Sequence, residues 1–419
     1  MTRLHSPLRA AVIALALACP LFATNGYFTH GQGTASKGMV GATTALAQDA
    51  LDVETNPAAA ALVKNGYSVS LALFSPRRDY TIVGNPSGAP GTFGLTPGTV
   101  SSKSEYFPMP AFGYNHRLDD RSALNFSVVA HGGMNTDYRT ATFYGSDHTG
   151  VDLAQMFVSA TYARKIAANH SLGLSAVVVG QRFKASGLQA FSMFSSDAQN
   201  LTNNGYDSAY GVGIRAGYLG QISPKVSIGA SYSPKIRMSE FKSYSGLFAQ
   251  RGRFDVPSSL SAGVAYKATP DFTTAVDYQR IHYKDVLSVG NQLIPNIMST
   301  PLGTTGGAGF GWNDINVYKL GVQWQASNIW TWRAGYSKCD QPIPSSEVLF
   351  NILAPGVIED TLTAGFSRQM KQGGNFNMAV MYAPSKTVSG ANPLEVPGQQ
   401  QIRLKMSEWE VEFGYSFGF

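Results

Sequence analysis

The sequence predicts a transmembrane antiparallel β-barrel of about 14 strands with its N-terminal segment held inside the lumen as a hatch. Three observations carry that prediction. From Gly66 onward, apolar and polar residues alternate with period 2 in fourteen segments. The connections between those segments are alternately short and long. The chain closes on alternating aromatics that end at Phe419. Period-2 alternation places successive side chains on opposite faces of a sheet.

Composition agrees with this class. Charged residues make up 14% of the 419, against roughly 25% in an ordinary soluble domain. Glycines number 44 and aromatics reach 11%. The mean hydropathy of -0.08 is too low for a bundle of apolar helices. It suits strands that alternate lipid-facing and lumen-facing residues. Past the first residues no stretch reaches the ~18 consecutive apolar residues of a spanning helix. Arg3 and Arg9, the apolar run Ala10 to Ala18, Pro20 and then Leu21-Phe22-Ala23 read as a secretory signal over 1–23, cut after Ala23. Its removal leaves Cys339 as the one cysteine, so no internal disulfide forms. Loss of Arg3 and Arg9 takes the formal charge from +6 to +4. The remaining basic residues are not clustered, which excludes a nucleic-acid footprint.

The alternating segments are 66–74, 103–115, 122–131, 152–166, 170–182, 206–219, 224–238, 254–267, 271–284, 312–325, 328–338, 358–370, 375–383 and 407–419. In the last, Trp409, Val411, Phe413, Tyr415, Phe417 and Phe419 fall on one face, and Glu408, Glu410 and Glu412 on the other. Short connections at Asp119-Asp120, Ala168-Asn169, Ser223-Pro224, Thr269-Pro270, Ser327-Asn328 and Gly373-Gly374 alternate with seven long ones. Outer-membrane barrels have this asymmetry, with tight periplasmic turns and long external loops. In lipid every backbone polar group must pair, so the sheet must close. The expected location is the outer membrane of a Gram-negative bacterium. Outer-membrane lipids, lipopolysaccharide and the barrel assembly machinery are the expected macromolecular and lipid partners, and a monomer is expected.

Residues 24–65 lack period-2 runs and are rich in Gly and Ala. A barrel of this size lies between barrels filled by side chains, at about 8 strands, and open pores of 16–18. A plug is therefore needed, and 24–65 is the segment of suitable size. The barrel proper is 66–419.

This hatch reads Thr24-Asn-Gly-Tyr-Phe28, Gly31-Gln-Gly33, Ser36-Lys-Gly-Met39, Gly41-Ala42, Asp49 and Asn56-Pro57-Ala58. With Tyr244-Ser-Gly-Leu-Phe248, Arg253-Phe-Asp-Val-Pro257 and Gly263-Val-Ala-Tyr266, it resembles the FadL/TodX family of outer-membrane hydrocarbon transporters. Val40 stands where many members have glycine, which matters only if the backbone there needs positive φ. The resemblance implies uptake of hydrophobic small molecules, long-chain fatty acids first and aromatic hydrocarbons second. The implied route is capture in an apolar loop groove, passage to a site above the hatch, a hatch shift and lateral escape beside a kinked third strand. Carried onto this chain, the groove falls on Leu188, Phe191, Met193, Phe194 and Leu201 of the third long loop and on Phe241, Tyr244, Leu247 and Phe248 of the fourth. Packing of the two loops against each other would equally account for these side chains. Gating falls to Asn56, Pro57 and Ala58, and the kink to Gly132 and Gly133.

A carboxylate ligand would want an inward cation. Arg215, Lys319 and Arg333 point inward by alternation, and Lys37 lies in the hatch. Gly31-Gln-Gly33 and Thr34-Ala-Ser-Lys37 depart from nucleotide-binding loops, and no zinc spacing or nucleophile elbow is present. No cofactor, metal or catalytic residue is expected. An outer-membrane lipid-modifying enzyme is the rival from another class, and it would need a Ser/His pair at the lipid boundary that the sequence does not display. A general porin would lack the plug.

Overall fold

The computed structural model describes residues 25–146 and 148–419; the expected signal segment and its cleavage point lie outside the described residues. The strands are β1 (Gly66–Val83), β2 (Gly98–Ser101), β3 (Phe107–Arg117), β4 (Ser122–Asn135), β5 (Gly150–Ala167), β6 (His170–Ser186), β7 (Asp207–Ser223), β8 (Val226–Ser233), β9 (Ser259–Thr269), β10 (Phe272–Ile281), β11 (Ile315–Gln325), β12 (Trp330–Cys339), β13 (Asp360–Gln369), β14 (Asn375–Ala391) and β15 (Gln401–Gly418). Each barrel strand pairs antiparallel with its chain neighbour, and β15 pairs with β1 over their whole length, so the wall closes as a 14-strand barrel. The short β2 lies outside that ring and extends the outer end of β1. Among the described residues no helix is long and apolar enough to cross a membrane.

All fourteen segments expected from alternation are strands, but several run further. β1 extends to Val83, β14 to Ala391, and β15 begins at Gln401 rather than 407. The physical reason is visible in β15. Below Trp409 its outward residues are apolar. Above it they are Ser407, Lys405, Arg403 and Gln401, while the inward ones become Met406, Leu404 and Ile402. The strand has left the bilayer, so its apolar face has changed sides and the outward hydrophobic signal stops. β8 is shorter than expected and ends at Ser233. Pro234 follows, and proline has no N–H to donate to a ladder.

The same switch divides the lumen into two storeys. The lower is polar: Glu408, Glu410 and Glu412 point in from β15, Asn115 from β3 and Asn125 from β4. The upper is lined by Ile402, Leu404 and Met406 of β15, Tyr80 and Ile82 of β1, and Phe107 and Met109 of β3. Residues 25–65 fill the lower storey as a compact coil with a four-residue helix at Thr34–Lys37 and 3-10 turns at Asp52–Glu54 and Pro57–Ala61.

Inward glycines let this segment touch the wall. A methyl group on Gly173 would overlap the Pro57 carbonyl, one on Gly229 the Thr44 carbonyl, and one on Gly335 would press on Met39 and Val40. These three lie on β6, β8 and β12, so contact is made around most of the circumference. Val40 is fully buried at φ 55. The departure from glycine therefore falls where the backbone is left-handed, and a β-branched residue there is strained.

Candidate functional site

The long loops at the outer end of the barrel meet over the lumen. Leu188, Phe191 and Leu201 of the loop 187–206 and Leu247 and Phe248 of the loop 234–258 line one narrow apolar cavity. Five residues that the sequence nominated for the groove thus come together. Phe241 and Tyr244 are fully buried behind it, where Phe183 packs on Tyr244 at 4.8 Å and on Phe248 at 4.6 Å. Phe194 is partly buried against the same cluster, and its carbonyl accepts from Leu302 N. Met193 is 83% exposed and takes no part.

Sequence reasoning missed the rest of the lining: Leu302, Ala308 and Phe310 from the loop 282–314, Phe350 and Leu353 from the loop 340–359, and Val151 and Phe183 from the tops of β5 and β6. The loop residues sit on irregular backbone, where no period marks them. Phe183 lies in β6 beyond the stretch read as a strand. Among the cavity-lining residues Ser288 is the one polar side chain, and none is charged.

Below this cavity the first described residues of the hatch occupy an aromatic box. Tyr27 lies against Phe254, Tyr283 and Trp312 at 5.7, 4.8 and 5.8 Å between ring centroids. Tyr283 also receives the Tyr27 N–H on its hydroxyl and donates to the Asn25 carbonyl. Phe28 packs on His131, whose ring stacks on Phe157 at 4.2 Å.

His131 marks an irregularity in β4. The register of β4 against β5 shifts between Ala130 and Gly132. Its pairing with β3 ends at Ala111 and Val129, so Phe107 to Pro110 pair with β1 alone. Residues two apart on a strand present their N–H groups to the same neighbour, and Pro108 and Pro110 have none to present. The β3 edge facing β4 is therefore stripped of two donors in succession. The freed edge of β4 pairs inward with the hatch instead: Thr29 N donates to His131 O at 3.1 Å, and Gly133 N to Tyr27 O at 3.0 Å. Gly132 and Gly133 lie at this bend. The side chain that a residue other than glycine would bring to position 132 would press on the Tyr27 carbonyl and the Phe28 ring.

The inward cations are engaged by the hatch and are not brought to the apolar cavity. Arg215 pairs with Glu54 at 2.7 Å, and Ser127 also donates to Glu54. Burial alone would raise the Glu54 carboxyl, but Arg215 outweighs it and holds the group below its ordinary range. Lys319 donates to His30 O at 2.8 Å, and Arg333 donates to Gln48, Gln323 and Ser367. Lys37 bridges Glu410 and Glu412 at 2.9 and 2.6 Å. Burial alone would lower its ammonium, yet the two carboxylates keep it above the usual lysine range. Arg215 and Lys319 border a separate polar cavity beside the hatch, with His131, Glu54 and Asp277.

Asn56, Pro57 and Ala58 form a capped turn. Asn56 Oδ1 accepts from Ala58 N, which caps the following 3-10 turn. Its Nδ2 donates to Thr44 O at 2.7 Å and to Tyr218 O at 2.8 Å, so this side chain fastens hatch to hatch and hatch to β7.

Comparison with known proteins fits this architecture. The family model described as outer membrane protein transport protein (OMPP1/FadL/TodX) matches residues 10–409. No curated protein matches the sequence at a significant level. Among solved structures, a Pseudomonas aeruginosa FadL homologue superposes with TM-score 0.68 at 15% identity, covering 94% of this chain and 100% of that one. The P. putida toluene transporter TodX gives 0.65 at 17%, with 93% and 99% covered. The Ralstonia pickettii toluene transporter TbuX gives 0.60 at 18%, with 93% and 99% covered. At these identities the structures attest the barrel fold, while the family model spans nearly the whole sequence. The chain belongs to the OMPP1/FadL/TodX family of transport proteins of the Gram-negative outer membrane, a family of channels and not of enzymes.

Proposed function

We propose that the protein is a passive channel for hydrophobic compounds and that long-chain fatty acids are the compounds it admits. The observation that carries this reading is the apolar cavity between the loops, set above an apolar upper storey and a polar, filled lower storey. An alkyl chain gains roughly 0.8 kcal/mol for each CH₂ it buries, so such a lining captures it without a charged partner. The carboxylate would stay at the wet rim, where exposed Arg251 lies and bonds through its N–H to Gly303, next to the lining residue Leu302. Residues 24–65 act in this reading as the hatch, with Asn56, Pro57 and Ala58 as its pivot. The unpaired edges of β3 and β4 are the exit, closed by Tyr27 to Thr29 until the hatch shifts. A second reading, uptake of aromatic hydrocarbons, is favoured by the lack of any charge in the lining and by the similarity to toluene transporters.

The test is uptake of labelled oleate and labelled toluene by cells with and without the protein, alongside a variant lacking residues 24–65. Oleate uptake that needs the intact protein is expected. Toluene uptake alone would transfer the assignment to the second reading. If neither compound moves while the shortened form leaks hydrophilic solutes, the hydrophobic-substrate reading is overturned.

A further inference from the structure

The lipid-facing wall dips beneath the opening between β3 and β4. Ala160 of β5 and Ala176 of β6 pair directly across their strands and point outward. Phe126, Tyr162, Leu174 and Ile214 stand around them, and together they bound an open groove of about 600 Å³. Small residues make the floor and large exposed apolar ones the sides. The groove reaches down to the rim that carries the short turns. Just past the lining residues, Arg164, two residues beyond Tyr162 on the same outward face, is exposed, with its guanidinium beside the Tyr162 hydroxyl and Asp119 within electrostatic reach. His116 also faces outward at this level, and exposed Arg121 lies in the turn. The acids nearby are Asp119, which is held by the N–H groups of Arg121 and Ser122, and Asp120.

We infer that this groove and Arg164 form a site for one glycerophospholipid of the periplasmic leaflet, with an acyl chain over Ala160 and Ala176 and the phosphate at Arg164. Three points lead there. The barrel sits in the outer membrane, so an acyl chain is what lies against this face. A chain seated in a groove makes more van der Waals contacts than one against a flat wall, which is the packing gain available where lipid, and not water, is displaced. A guanidinium at the end of the groove matches a phosphate in charge and in bidentate geometry. The short turns place that end on the periplasmic side, which selects phospholipid over the lipopolysaccharide of the outer leaflet.

The full chain in mild detergent, titrated with dioleoylphosphatidylglycerol or with dioleoylglycerol and followed by native mass spectrometry, tests this. One tightly retained phosphatidylglycerol is expected. Ala160→Leu with Ala176→Leu should weaken retention of both lipids by filling the floor. Arg164→Gln should weaken phosphatidylglycerol roughly tenfold, the worth of one charge-assisted hydrogen bond, and leave dioleoylglycerol unchanged. Ala334→Leu, an outward alanine on the far wall in β12, is the control and should change nothing. Heat-modifiable gel migration reports that each variant is folded. Equal retention by all folded variants, or equal loss in the Ala334→Leu control, would overturn the site.

Discussion

Replacing Lys37 by Met tests whether the hatch is held by charge. Met keeps most of the side-chain length and removes the ammonium, leaving Glu410 and Glu412 two residues apart on one strand, both almost fully buried. Removing one partner of a buried ion pair costs about 3–5 kcal/mol, because an uncompensated charge is left behind. Undocking of the hatch would let water reach both carboxylates, so the penalty falls on the docked state. About 3 kcal/mol changes the ratio of docked to undocked hatch by more than a hundredfold, at about 1.4 kcal/mol for each factor of ten. Liposome swelling in small sugars should therefore show strong leakage through Lys37→Met and little through the parent. Adding Glu410→Gln and Glu412→Gln should restore most of the seal, since a neutral trio leaves no charge to hydrate. A folded Lys37→Met barrel as tight as the parent would refute the reasoning, as would a triple variant that leaks as much as the single one.

Three further outcomes are expected. Gly173→Val should displace the Asn56-Pro57-Ala58 turn and open a leak without changing the thermal stability of the barrel, because the new side chain would occupy the Pro57 carbonyl's place; swelling and heat-modifiable migration measure the two effects. Pro108→Val with Pro110→Val returns two N–H donors to the β3 edge and should extend its ladder with β4; slower amide exchange at these positions and reduced oleate uptake are the readouts. Phe248→Ala removes a ring that contacts Phe183 and Phe254 at 4.6 and 5.0 Å and, at about 3–5 kcal/mol for a buried aromatic, should lower oleate uptake at limiting concentration while the membrane-embedded wall stays folded.

The fourteen strands, their faces and the side carrying the long loops were all legible in the chain, because a strand facing lipid on one side and lumen on the other must alternate. Trp409 to Phe417 set against Glu408 to Glu412 is that constraint written out. The same logic failed above Trp409, where the outward face turns to Arg403 and Lys405 and a strand no longer needs an apolar side toward the membrane. Five groove residues followed from carrying the family's loop groove onto this chain, but Phe310, Phe350 and Leu353 join them from two other loops on irregular backbone, where no period survives. Alternation also named Arg215 and Lys319 as inward, yet it could not say what they meet. Glu54 and the His30 carbonyl reach them only because the hatch folds back into the barrel. Val40 was plain in the sequence as a residue, whereas its φ of 55 became visible only with the turn that ends the Thr34–Lys37 helix, where Val40 N donates to Lys37 O and Gly41 N to Ser36 O. Periodicity therefore determined the barrel, since each residue's side of the sheet is a local property. The ion pairs, the cavity and the unpaired edge of β3 were decided by tertiary structure, since each depends on which distant segments the closed wall brings face to face.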